Sequence, residues 1–331
     1  MIAYFLLVHR YPDQFKRLFK AIYSPLNEYL VHIDKRAGPA LRRELGKFLK
    51  DYPNASLLKS QNVVWGGYSM VETELRGMKQ LLKQSSKWDH YINLSGQDFP
   101  LKTQSAIKKF LKVNKGKDFI LTANQKNERF NTLNRIENYF LESDNGFSGR
   151  PFKRAYLRGV TPYIGGQWKI LSRLTVEFFT NNPKVDKFIT YYKNTLIPDE
   201  SFFQTVIMNS GLEESVINDD KRAIIWIPDI ALKSKGSLKN KKDTQSQIES
   251  GKIKLRPKTY LKTDLKFLLS SEALFARKFD ETVDSEILDL LEAKLKADGN
   301  GIDSADTAVP TNPLQTVLPE NQLIAAAKIS A

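Results

Sequence analysis

Apolar residues fill an unbroken run from Ile2 to Val8, and a second run follows from Glu28 to Asp34. Between them, over Asp13 to Tyr23, Phe15, Leu18, Phe19 and Ile22 recur at the spacing that puts side chains on one helix face. Strand, amphipathic helix and strand make a βαβ unit. The alternation continues with a strand from Leu57 to Val64, a helix over Ser69 to Lys83 with Met70, Leu75, Met78 and Leu82 inward, and a strand over Tyr91 to Leu94. Short apolar strands alternating with such helices predict an α/β fold. Its sheet is mainly parallel and covered on both faces, and ligands bind beyond the carboxyl ends of the strands. Val8-His9, Asp34 and the loop Ser95-Gly96-Gln97-Asp98-Phe99-Pro100 fall at such ends. The third strand runs into Trp65-Gly66-Gly67, where two small residues allow a tight turn or close approach to a ligand.

Further along, residues 121–162 interleave Phe130, Tyr139, Phe140, Phe147, Phe152 and Tyr156 with Arg129, Arg135, Arg150, Arg154 and Arg158. Aromatic faces beside cations stack on sugars or bases, and they equally pin down an irregular loop. A strand is predicted over Tyr163 to Leu171, a helix over Val176 to Lys193, and a short strand over Ala223 to Ile227 stopped by Pro228. Lys233 to Lys258 is poor in apolar residues and strongly basic, which reads either as a loop that orders on an anion or as a solvated linker. An amphipathic helix follows with Val283, Ile287, Leu290 and Leu291. Beyond Lys296 the composition shifts to Ala, Thr, Asp, Asn and Pro, so the globular domain is expected over 1–295 and a peripheral tail over 296–331.

The stretch Ile197-Pro198-Asp199-Glu200-Ser201-Phe202-Phe203-Gln204-Thr205 places two carboxylates behind a proline and ahead of an apolar, helix-compatible run. Two readings stand side by side. Asp199, Glu200 and Ser201 cap a helix by accepting from its free N–H groups, or Glu200 carries chemistry.

Composition narrows the partners. The 331 residues are 41% hydrophobic and 27% charged, which suits one large α/β domain or two smaller ones. No apolar run approaches the roughly 20 residues of a membrane span, and Met1 to Val8 lacks the basic lead-in of a signal peptide, so a cytoplasmic protein is expected. With no cysteine, disulfides, thiolate nucleophiles and cysteine-bound metals are excluded. His9, His32 and His90 lack ligand spacing, so no metal site is expected. The net charge of +14 calls for an anionic partner, whether nucleic acid, an anionic membrane surface approached peripherally, or a phosphorylated small molecule.

Five stretches, taken in order, resemble the core-2/I-branching enzyme family (glycosyltransferase family 14). They are Val31-His32-Ile33-Asp34-Lys35-Arg36, Val64-Trp65-Gly66-Gly67, Trp88 to Thr103, Pro198-Asp199-Glu200-Ser201-Phe202-Phe203, and Phe275-Ala276-Arg277-Lys278-Phe279-Asp280. That family includes branching β-1,6-N-acetylglucosaminyltransferases and peptide O-xylosyltransferases. The resemblance implies a GT-A-type (Rossmann-like) fold and an inverting, metal-independent transferase with no cofactor, whose donor is a UDP-sugar carrying xylose or N-acetylglucosamine. The implied acceptor is a glycan or protein hydroxyl, not nucleic acid.

By the same resemblance Glu200 is the general base, and a carboxylate suits the removal of a hydroxyl proton. Val8 and Asp34 hold the uridine, and Trp65, Gly66 and Gly67 lie against the donor. Lys278 and, allowing a one-residue gap, Arg256 bind the diphosphate, with Arg277 as a third contact. The chain has no Asp-x-Asp, the usual metal signature of such enzymes, so cations must stabilise the leaving UDP. Trp226 corresponds to a tryptophan that packs on the acceptor sugar, and Asp98 and Trp168 are further acceptor-side candidates. Pro228 stands where some branching enzymes have tyrosine, which leaves their galactoside site open here. The family's animal members carry a membrane anchor and disulfides, whereas this chain reads as a bacterial-type cytoplasmic member that builds a surface glycan. The rival class is a basic protein that binds nucleic acid or anionic glycan without catalysis.

Overall fold

The computed structural model describes residues 1–229 and 255–300, so most of the predicted basic stretch and of the tail lies outside the described residues. The chain forms two compact units, residues 1–98 with 104–222, and residues 99–103 with 223 onward.

In the first unit the elements are β1 (Ile2–Val8), α1 (Pro12–Ile22), β2 (Glu28–Ile33), α2 (Gly38–Leu49), β3 (Ala55–Leu58), α3 (Tyr68–Gln84) and β4 (His90–Ser95). After β5 (Asp98–Pro100), where the chain passes into the second unit and back, come α4 (Gln104–Val113), β6 (Asp118–Ile120), β7 (Ala123–Asn124), α5 (Asn134–Glu137), β8 (Asn138–Ser143) and β9 (Gly146–Lys153). The unit closes with β10 (Tyr163–Ile164), β11 (Lys169–Ser172), α6 (Arg173–Asn181), α7 (Asp186–Tyr192), α8 (Phe202–Ile207) and β12 (Val216–Ile217).

The predicted sheet is present, in the order β12-β6-β11-β4-β1-β2-β3. Strand β1 pairs in parallel with β2 on one side, Ala3 opposite Glu28 through Val8 opposite Ile33, and with β4 on the other, Ile2 opposite His90 through Leu7 opposite Ser95. β3 continues the parallel set and β11 alone runs against its neighbours. A strand flanked on both sides and covered on both faces must be apolar throughout, and all of β1 except Leu7 is buried. Phe15, Leu18, Phe19 and Ile22 of α1 are buried as their spacing predicts.

Several boundaries differ from the sequence reading. The strand expected to reach Val64 stops at Leu58, and the helix expected over Val176 to Lys193 is broken into α6 and α7, because Pro183 cannot donate and Asn182 accepts the Lys184 N–H instead. Residues 138–153, read as irregular, form the β8–β9 hairpin. Helix α3 fully buries Val71, Glu74, Met78 and Leu81, with Leu75 and Leu82 packed partly buried against the same core and Met70 half-buried, so its inward face is broader than predicted and carries a carboxylate inward. No helix among the described residues is long and apolar enough to cross a membrane.

The second unit contains β13 (Arg222–Ile224), β14 (Trp226–Pro228), β15 (Leu255–Pro257), α9 (Leu265–Ser270), β16 (Phe275–Arg277) and α10 (Glu286–Asn300). A three-stranded sheet, β13-β16-β5, and a two-stranded pair, β14-β15, enclose a core in which Tyr260 lies 5.5 Å and Phe99 lies 6.0 Å from the Phe279 ring. Helix α10 buries Ile287, Leu288 and Leu291, while Val283 lies outside it and is exposed.

Candidate functional site

Strands β2 and β3 lie to one side of β1 and β4 to the other, so the strand order reverses at β1. At such a switch point the diverging connections leave a crevice at the carboxyl ends. Val8 ends β1 and is buried, and its carbonyl accepts the Asp34 N–H at 2.9 Å. The Asp34 carboxylate accepts the Arg36 N–H at 2.9 Å and faces its guanidinium at 3.5 Å. Beyond β4 the Gly96 N–H bonds the Leu7 carbonyl at 2.9 Å, and Arg10 donates to Gln97 Oε1 at 2.9 Å. Asp98 is buried with Oδ2 accepting the Ser95 N–H at 2.6 Å, so it closes this turn. Trp168 is buried just ahead of β11. His32 is buried on β2 and its Nε2 accepts the Gln61 N–H, burial holding its pKa down to about 4.

The second focus of this unit is the 3-10 turn Pro198–Glu200. Ile197, which precedes it, sits in the left-handed region at φ 51°, a costly place for a β-branched residue, and its N–H bonds the Gly66 carbonyl at 2.7 Å. Gly66 itself has φ 75°, the conformation that glycine adopts without a Cβ clash. On the other side the Gly165 N–H bonds the Glu200 carbonyl at 2.8 Å, and a Cβ on Gly165 would stand 1.9 Å from the Leu121 carbonyl oxygen. Gln204 donates to the Gly166 carbonyl at 2.7 Å. Trp65 stands 65% exposed beside this junction. The structure therefore brings Trp65-Gly66-Gly67 and Glu200 together.

Neither this turn nor α8 has a side-chain cap, so the capping reading of Asp199, Glu200 and Ser201 does not describe them. The Glu200 carboxylate instead accepts from Arg135 Nη1 at 2.8 Å through Oε2. Arg135 also accepts the Leu196 N–H at 3.0 Å through its carbonyl. Behind the turn lies a buried charge cluster. Lys169, fully buried, donates to both oxygens of Glu74 at 2.9 Å and to the Gln167 carbonyl at 2.7 Å, and its Nζ lies 4.1 Å from the centre of the Phe203 ring. Tyr91 donates to the same Glu74 at 3.0 Å. Asp199 is 4% exposed, and its Oδ1 has no hydrogen-bond partner among the described residues. Burial, and then the neighbouring Glu200, push its pKa up to about 7.

In the second unit Trp226 pairs with Pro257 and Ile227 with Arg256, and the Lys258 N–H bonds the Ile225 carbonyl at 2.7 Å. The Lys278 N–H reaches the Lys258 carbonyl at 3.3 Å, and the Tyr260 N–H bonds the Lys278 carbonyl at 2.9 Å. Main-chain bonds thus gather Trp226, Arg256, Arg277 and Lys278 in one region of this unit. Neither the Glu74–Lys169 pair nor the part played by Arg135 shows in the sequence. The pair has no signal in hydropathy, while Arg135 lies in the aromatic and arginine segment, whose pattern names no partner for it.

A sequence profile described as Core-2/I-Branching enzyme matches residues 2–254. The chain belongs to that family. Xylosyltransferase 2 of Rattus norvegicus is 33% identical over 299 residues, 89% of this chain and 33% of its own length. Xylosyltransferase of Ciona intestinalis is 32% identical over 304 residues, 90% of this chain and 34% of its own. The chain thus spans about a third of the length of the curated relatives it resembles. Among solved structures, mouse xyloside xylosyltransferase 1 in its apo form is weakly similar, with a TM-score of 0.33 and 11% identity over 66% of this chain and 84% of that one. Four of the five family-like stretches, through Phe203, lie inside the profile match, and Phe275 to Asp280 lies beyond its last residue.

Proposed function

We propose that this chain is an inverting glycosyltransferase that moves a sugar from a UDP-sugar to a hydroxyl of a glycan or protein acceptor. Xylose is the first donor sugar to test, since the relatives named above are xylosyltransferases. The observation that carries the reading is the Glu200 carboxylate, 29% exposed on a turn bonded to the Trp65-Gly66-Gly67 loop, with Oε2 on Arg135 and no bond on Oε1 among the described residues. Oε1 takes the acceptor hydroxyl's proton as that oxygen attacks the anomeric carbon. The bond from the anomeric carbon to the diphosphate breaks, its electron pair leaves with UDP, and the configuration inverts in one step.

The charge gathered by the departing UDP needs a positive counterpart. We assign it to Arg256, Arg277 and Lys278, which makes a divalent metal unnecessary. Asp34 is assigned to the nucleoside, whose hydroxyl and N–H donors suit a carboxylate, with Val8 lining the same strand end. Trp65, Gly66 and Gly67 lie against the donor sugar, and Trp226 on the acceptor. Asp98 and Trp168 act behind the acceptor side, since both are buried.

The test is donor turnover with UDP-xylose, UDP-N-acetylglucosamine and UDP-glucose, with and without EDTA, for the native chain and E200Q. UDP release that survives EDTA and disappears in E200Q, while UDP binding is retained, supports the reading and names the donor. No binding of any UDP-sugar would overturn it in favour of a basic, non-catalytic binder. Equal loss of turnover and of UDP binding in E200Q would make Glu200 structural.

A further inference from the structure

Arg135 reaches the Glu200 turn twice. Its guanidinium holds Oε2 of the carboxylate at 2.8 Å, and its carbonyl accepts the N–H of Leu196, the residue before the strained Ile197, at 3.0 Å. The arm is firmly mounted. The next residue, Ile136, is buried, and its carbonyl accepts from the Tyr191 hydroxyl at 2.6 Å and from Arg154 Nε at 3.3 Å. The Arg154 guanidinium in turn lies 3.8 Å from the centre of the Tyr191 ring, and the Arg154 backbone N–H bonds the Glu137 carbonyl at 2.7 Å.

Stability does not explain the contact. Arg135 and Glu200 are 27% and 29% exposed, and an ion pair that open to water contributes little to stability. What it changes is freedom: an unpaired glutamate at the surface turns about its side-chain bonds, whereas Arg135 holds Oε2 of this one and leaves Oε1 without a bond among the described residues.

We propose that Arg135 is a positioning residue for the base, fixing Oε2 of Glu200 so that Oε1 is the oxygen presented to the acceptor hydroxyl. This rests on Glu200 being the base. The charged groups around that carboxylate are Arg135 and Arg129 from the segment before the hairpin and Asp199 in its own turn, with Glu74 and Lys169 behind Asp199. Removing Arg135 therefore has two effects. It releases the carboxylate, and it takes away the positive charge nearest to it.

The experiment compares R135Q and R135K with the native chain on the donor turned over best, following kcat, the KM of donor and acceptor, and the pH profile of kcat. In R135Q kcat falls roughly 10- to 100-fold, as for a base held out of line, with both KM values within about twofold. Its acidic limb moves to higher pH, since loss of a nearby cation makes a carboxylate easier to protonate. R135K keeps the limb in place and recovers part of kcat, and it carries the test if thermal melting shows R135Q unfolded. A rise in acceptor KM alone, with kcat and the limb unmoved, would make Arg135 an acceptor contact and overturn the proposal, as would native kcat in R135Q. If the native chain turned over no donor, or E200Q kept the native rate, the fault would lie in the assignment of Glu200.

Discussion

Ile197 gives its N–H to the Gly66 carbonyl at 2.7 Å, and a Cβ built on Gly66 would stand 3.3 Å from Ile197 Cγ1. Both residues have positive φ, 51° and 75°. The loop assigned to the donor and the turn that carries Glu200 are therefore bonded to each other through these two residues.

Gly66→Ala tests that linkage. The added methyl costs about 1–2 kcal/mol for the left-handed backbone alone, before any crowding against Ile197. Gly38→Ala is the control, because Gly38 has φ 86° with nothing within 4 Å of its would-be Cβ. Urea unfolding should show both variants destabilised, since both glycines have positive φ. Initial rates should separate them, with transfer falling in Gly66→Ala and native in Gly38→Ala. Native transfer in Gly66→Ala would mean that the loop and the base move independently.

The parts that could be read from the sequence share one property: they depend on the order of residues along the chain. The run Ile2 to Val8, the face of Phe15, Leu18, Phe19 and Ile22, and the polar residues at the ends of β1, β2 and β4 follow from periodicity. So does the parallel sheet. The missed features join residues far apart in the chain. Glu74 meets Lys169 and Arg135 meets Glu200 because strands β11 and β4 pair and α5 packs near the turn, which no local pattern encodes. Helix α2 buries only Leu41, Leu45 and Leu49, one residue per turn among charges, too sparse a stripe to stand out.

Lys278→Ala should weaken UDP more than uridine. Lys278 is half-buried, and its backbone is bonded to Lys258 and Tyr260. A charge-assisted bond to phosphate contributes about 1.5–3 kcal/mol, so UDP affinity should drop roughly tenfold or more while uridine affinity stays near native. Lys258 already pairs with Asp264, so Lys258→Ala should cost UDP less. Calorimetric titration with both ligands measures the ratio. An unchanged ratio in Lys278→Ala would sink the diphosphate assignment.

Asp199 makes stability depend on pH in a stated direction. A carboxyl whose pKa rises from 3.8 unfolded to about 7 folded favours the folded state below 3.8, and that contribution is lost as pH climbs towards 7. Asp220, also raised to about 7 by burial, acts in the same window. His32 acts oppositely. Burial lowers its pKa from 6.5 to about 4, so stability falls as pH drops through that interval. Below 6.5, where the buried His90 acts with His32, the opposing slopes offset one another, and the interval above it shows most of the carboxyls. Asp199→Asn removes one of them, so its unfolding free energy should decline less steeply between pH 6.5 and 8 than that of the native chain, by an amount on the order of 1 kcal/mol. Since Glu200 is the second cause of the rise at Asp199, E200Q should flatten the same slope in part while Asp199→Asn flattens it further. Urea titrations at a series of pH values measure all three. Parallel curves for the native chain and Asp199→Asn would show that Asp199 is already ionised at neutral pH, its charge stabilised within the Lys169 cluster.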